Sequence, residues 1–144
     1  MSSKAKWNER YLAATGGPNA AQVLKENLHL LPARGRALDM ACGLGANAIL
    51  LAQQGLEVAA WDIADIAVAS LQDVALKQQL TIQARVRDVE THPPEPATFD
   101  VIVVSYYLDR DIISALIQAL KPDGLIYYQT FTRQRVSARG PQQD

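Results

Sequence analysis

Three carboxylates and two glycines are the residues of this chain whose types and spacing could do chemistry. Asp39 stands four residues before Gly43, Gly45 follows at once, and Asp62 and Asp88 come later in "AAWDIA" and "RVRDVE". Gly43-Leu44-Gly45-Ala46-Asn47-Ala48 satisfies the loose dinucleotide pattern G-x-G-x-x-G/A, so the glycines alone leave the ligand open. A residue without Cβ lets the chain turn sharply and lets a ligand approach the backbone. The N–H groups that open a helix at Ala46 would then face that ligand with a partial positive charge.

The acids separate the ligands. A pyrophosphate is repelled by a carboxylate at Asp39, whereas an ammonium group is held by it. Asp62, at the tip of a strand, can accept both hydroxyls of a ribose. Asp88 is placed to receive an exocyclic adenine amine, with Ile63 and Val89 offering apolar faces to the ring. Together they suit a nucleoside with a cationic amino-acid tail, S-adenosyl-L-methionine. Each acid also has a plainer reading: Asp39 as a buried acceptor for the loop's own N–H groups, Asp62 as a helix cap, Asp88 as part of a solvated rim.

These residues need a scaffold, and the pattern supplies one. After Gly16-Gly17-Pro18 a helix is expected from about Asn19 to Leu31, with Ala20, Leu24, Leu28 and Leu31 on one face and Pro32 as its stop. Strands are expected at Ala37–Ala41, Glu57–Trp61, Ile82–Val86, Val101–Val104 and Leu125–Thr130, and helices at Ala46–Gln54 and Ala67–Gln79. "THPPEPAT" can only be loop. A further helix carries Ile112, Ile113, Leu116, Ile117 and Leu120 and ends at "KPDG". Alternating strands and helices predict an α/β doubly wound parallel sheet with right-handed crossovers. Val101–Val104 is apolar throughout and must be covered on both faces.

The 144 residues, 49% apolar and 20% charged, fit one globular domain. A net charge of -1 with scattered basic residues gives no footprint for nucleic acid or an anionic membrane. Cys42 is the only cysteine, which excludes an internal disulfide or a thiolate zinc cluster. No signal peptide or long apolar run is legible, so a cytoplasmic location is expected.

"ALDMACGLGANAILLAQQGLEVAAWDIA" resembles motif I and the following acid strand of the class I S-adenosylmethionine-dependent methyltransferases. Within them it is similar to the tellurite-resistance methyltransferases, through the C-G-x-G-x-N and A-W-D phrases, "WNERY", "FDVIVVSYYLDR" and "LKPDGLIYYQTFT". The resemblance implies a Rossmann-like sheet of order 3-2-1-4-5, normally completed by a 7-6 hairpin. Because the family continues past "TFT", it also implies a catalytic domain over 1–132 that lacks this hairpin, followed by a polar mobile tail over 133–144. The fifth strand would then be an exposed apolar edge, a place for two copies to pair into a homodimer.

The implied function is methyl transfer to a small-molecule acceptor, with S-adenosyl-L-methionine as cofactor. The implied cofactor residues are Arg10, Tyr11, Asp39, Ala41, Gly43, Gly45, Asn47, Asp62, Ile63, Asp88, Val89 and Ser105. Asn47 stands where the broader superfamily has its third glycine. An oxygen or nitrogen acceptor could need a general base, for which Tyr106, Tyr107 and Asp109 are candidates; a soft anion could need none. Core packing is the plainer role for the tyrosines. His29 and His92 lack a partner at ligand spacing, so no metal is expected. Cys42 reads as a small buried filler. The competing functions are a cofactor-binding module without turnover and a nicotinamide oxidoreductase, which Asp39 disfavours.

Overall fold

The computed structural model describes residues 20–40, 42, 44–105 and 110–129. In chain order they form α1 (Gln22–Lys25), a 3₁₀ turn (Leu28–Leu30), β1 (Arg36–Met40), α2 (Ala46–Gln53), β2 (Glu57–Asp62), α3 (Asp65–Gln78), β3 (Ile82–Val86), β4 (Phe99–Ser105), α4 (Arg110–Ala119) and β5 (Leu120–Gln129). The five strands make one sheet in the order β3-β2-β1-β4-β5, every neighbouring pair parallel. This is the doubly wound arrangement expected from the alternation of elements.

Successive strand residues point to opposite faces, and the register aligns them across the sheet. On the first face Ala37, Val58, Ala60, Ala84, Val101, Val103 and Tyr127 join Leu24, Ala48, Leu51, Val68 and Leu71 from α1, α2 and α3. On the second face Leu38, Met40, Trp61, Ile102 and Val104 pack with Phe99, Val89 and Ile112, Leu116 and Ala119 of α4. Val101 to Val104 are fully buried, as a central strand sandwiched by helices must be. Carrying several fully buried side chains on each face, the sheet separates two hydrophobic layers.

The expected first helix divides into α1 and a 3₁₀ turn. Asn27 causes the break: its side-chain amide donates to the Val23 carbonyl at 2.8 Å, while its backbone leaves the helical region at φ -127°. An asparagine that bonds its own backbone competes with helix continuation. Its carbonyl accepts from the Leu30 N–H of the 3₁₀ turn at 3.1 Å and from the Tyr127 hydroxyl at 2.8 Å. Leu31 is then extended, as the residue before Pro32 prefers.

The "KPDG" phrase also differs from expectation. α4 ends at Ala119, before the phrase, and β5 already pairs at Leu120 opposite Phe99 before bulging and resuming at Leu125 opposite Val101. Asp123 sits at φ 67° within that bulge. Other element ends move by one or two residues: α3 begins at Asp65, β2 includes Asp62, and β4 spans Phe99 to Ser105. β5 is the edge of the described sheet, with Ile126 36% exposed.

Candidate functional site

β1 and β2 deliver their acids side by side on the first face of the sheet. Asp39 and Asp62 are both buried, at 0% and 7% exposure. Asp39 Oδ2 accepts from the Ala48 N–H in the first turn of α2 at 2.9 Å. Among the described residues no donor reaches Asp39 Oδ1. Burial pushes its pKa up to about 7; the Ala48 N–H and the Asn47 amide pull it down only partly, and the neighbouring Asp62 charge adds to the rise. Burial thus favours the neutral form of this carboxyl, and its second oxygen meets no described donor. The plainer reading of Asp39, as acceptor for the loop's own N–H groups, thus describes one of its oxygens and leaves the other.

Asp62 Oδ1 accepts from the Ala64 N–H two residues on, at 2.9 Å. This Asx turn precedes α3, whose N-cap is Ala64 with no side chain capping it, so Asp62 is not the helix cap that the plainer reading expected. Ile63 beside it is half-buried.

The glycine loop begins where Cys42 donates its N–H to the Trp61 carbonyl at 2.9 Å and Gly45 donates to the Cys42 carbonyl at 2.9 Å. Gly45 caps α2 at φ 88°, a left-handed conformation. A Cβ there would lie 2.4 Å from Leu71 Cδ1. The loop pattern assigns this glycine to ligand approach; packing against α3 is the requirement the structure adds, and no local motif names Leu71. Asn47 has a second structural duty, since its Oδ1 accepts from the Ala21 N–H at 2.7 Å and so ties α1 to α2. Burial and the nearby carboxylates of Asp39 and Asp62 push the Cys42 thiol well above the ordinary range, which agrees with its reading as filler.

Asp88 is exposed and its Oδ1 accepts from the Glu90 N–H at 3.0 Å. It organises the turn after β3, where its carbonyl also accepts from Thr91 and His92. Val89 is 4% exposed and packs into the second core layer. Arg10, Tyr11, Ala41, Gly43, Tyr106, Tyr107 and Asp109 lie outside the described residues, as does the expected tail; Ser105 is described only as the last residue of β4. His92 Nδ1 lies 2.8 Å from the Thr91 hydroxyl on the surface, and among the described residues no cluster of acids, histidines and cysteine could hold a metal ion. Among them, too, no helix is long and apolar enough to cross a membrane.

A parallel sheet of this strand order with a left-handed glycine cap after β1 defines a doubly wound α/β domain. Residues 37–124 match the methyltransferase domain family, more than half of the chain. The chain therefore belongs to that family, the class whose methyl donor is S-adenosyl-L-methionine. It is 30% identical over 104 residues to the ubiquinone biosynthesis O-methyltransferase of Idiomarina loihiensis, covering 68% of this chain and 43% of that protein. It is 28% identical over 89 residues to the "Probable S-adenosyl-L-methionine-dependent methyltransferase TehB" of Haemophilus influenzae, covering 60% of this chain and 31% of that one. The solved structure of coclaurine N-methyltransferase bound to N-methylheliamine and SAH shares the fold, with a TM-score of 0.65 at 18% identity over 74% of this chain and 32% of that chain. The chain spans about half the length of the curated relatives it matches.

Proposed function

We propose that this domain transfers the methyl group of S-adenosyl-L-methionine to a small acceptor by in-line displacement. The observation that carries the reading is Asp39: a buried carboxyl beneath the glycine loop with one oxygen that no described donor satisfies. A buried polar atom without a partner costs stability, and a cationic amine is the ligand chemistry that removes the cost. The residues present therefore fit the cofactor.

In this reading Asp39 holds the ammonium, Asp62 the ribose and Asp88 the adenine amine, with Ile63 against the ring. Val89 supports that wall from within the core. Ala41, Gly43, Gly45 and Asn47 shape the loop, Ser105 borders the sulfur end, and Arg10 and Tyr11 close over the amino-acid tail. The bound cofactor supplies a methyl group already activated on a sulfonium. The chain's own contribution is then alignment, proximity and exclusion of water. An oxygen acceptor, as in the name of the ubiquinone-pathway relative, calls on Tyr106, Tyr107 or Asp109 to take a proton. A soft anion, as the likeness to the tellurite-resistance group suggests, does not.

Calorimetry with S-adenosylhomocysteine tests the binding half: micromolar affinity is expected, and at least a tenfold loss in Asp39→Asn. No heat with either S-adenosyl ligand would remove the proposal. Turnover of tellurite against a catechol separates the acceptor classes, and saturable binding without turnover of either would leave a cofactor-binding module instead.

A further inference from the structure

Among the described residues, the second face of the sheet is incompletely covered. The crossovers from β1 to β2 and from β2 to β3 each carry a helix on the first face, and α4 covers the second face over β4 and β1. The crossover from β3 to β4, residues 87–98, contains no helix. Over β2 and β3 this leaves a half-open cleft of about 250 Å³. Its strand positions include Gln83 and Arg85, polar and exposed, where a helix-covered sheet would carry apolar side chains.

Three arginines line this cleft, against one acid, Glu95, on its rim. Two of them are fixed in place. The Arg87 guanidinium lies 3.9 Å over the Trp61 ring and donates through Nε to the His92 carbonyl at 2.8 Å and through a terminal nitrogen to the Pro93 carbonyl at 2.9 Å. Arg36 lies 5.4 Å over Phe99, and the two rings meet edge to face at 6.0 Å. The result is a row of cation, ring, ring and cation along the floor. Arg85 stands opposite Trp61 on the neighbouring strand. Among the described residues none of the three joins an ion pair, and the Arg85 side chain makes no hydrogen bond.

We propose that this cleft is a binding site for a small phosphate-bearing anion, on the face of the sheet opposite the buried carboxylates of Asp39 and Asp62. Guanidinium groups held at fixed positions lose little freedom on binding and present forked donors that match phosphate oxygens. Three like charges around one concavity repel one another, and an anion relieves that repulsion. The size suits a pyrophosphate or a sugar phosphate. A polynucleotide would need the basic surface to continue, and the chain's net charge of -1 with scattered lysines and arginines does not provide it.

The test uses Trp61 as reporter in a Trp7→Phe background, which leaves it the only tryptophan of the two. Inorganic pyrophosphate at constant ionic strength should change its emission saturably, with half-effect below about 1 mM. Arg85→Gln should weaken that response at least tenfold and leave both the melting temperature and S-adenosylhomocysteine affinity unchanged; Arg85→Lys should fall between. The proposal is overturned by a response that sodium chloride reproduces, by undiminished binding in Arg85→Gln, or by an oligouridylate binding more tightly than pyrophosphate, which would make the face a nucleic-acid surface.

Discussion

The two faces of the sheet handle charge in opposite ways. On the first face two carboxylates are buried among aliphatic side chains beneath α2 and α3. On the second, guanidiniums lie in a cleft open to solvent, braced on aromatic rings. Burying Asp39 raises its pKa and leaves an oxygen that no described donor reaches, so that face is built at the expense of stability. The arginines keep their hydration and cost the fold little. The difference teaches that a preorganised charge must be buried to be held rigid against a packed helix, but can stay solvated if a ring holds it.

Perturbing the packed face should have the largest effect. Gly45→Ala places a Cβ against Leu71 and forces a left-handed φ on alanine, so it should cost about 3–5 kcal/mol. Adding Leu71→Ala should then cost less than the sum of the single changes, a non-additivity that chemical denaturation of the double-mutant cycle would measure.

Asp39→Asn sharpens the contrast through pH. The folded pKa of about 7 exceeds the unfolded value near 3.8, so the native state holds the proton more tightly. This carboxyl's stabilising contribution is therefore full below about pH 4 and is lost as pH rises to 7. At pH 8 Asp39→Asn should be more stable than the wild type, by up to about 4 kcal/mol, and its melting temperature should vary less between pH 4 and 7. Cofactor affinity should move the other way: in the wild type it falls about tenfold per unit from pH 7 to 5, because the amine needs the carboxylate, and in the variant it stays low throughout. Equal pH slopes in the two proteins would break the comparison.

Asn47→Ala strips the buried Ala21 N–H of its acceptor and should cost about 1–3 kcal/mol, read as a shift in the urea midpoint with an unchanged slope. The smallest effect is expected on the open face, where Arg85→Gln should change stability by less than about 0.5 kcal/mol. A loss as large as that of Asn47→Ala would mean that the arginine face is structural.

Much of the fold was legible because each strand or helix carries its own periodicity. The run Val101–Val104 announced a central strand, and the alternation of elements gave the crossovers. What eluded the sequence was tertiary. Asn27 breaks a helix that its neighbours would continue, because its amide and carbonyl find other partners, one of them Tyr127, a hundred residues on. Gly45 could be read as a glycine required by a loop, but not as one required by Leu71. At the site, the acids were legible from their place at strand ends, whereas the cost carried by Asp39 depends on burial that α2 completes. Asp88 and Val89 were singled out for position alone; one proves to shape an exposed turn and the other to fill the core. The stacking of Arg87 on Trp61 joins the β3–β4 crossover to β2, and no local spacing signals it.

The condition of Cys42 has a practical consequence for anyone who wants to watch this molecule. The thiol is buried and its ionisation is strongly opposed, so maleimide dyes should pass it by in the folded state. A cysteine introduced at exposed Gln83 would then take a fluorophore selectively, without removal of the native residue, and place a probe at the edge of the arginine cleft.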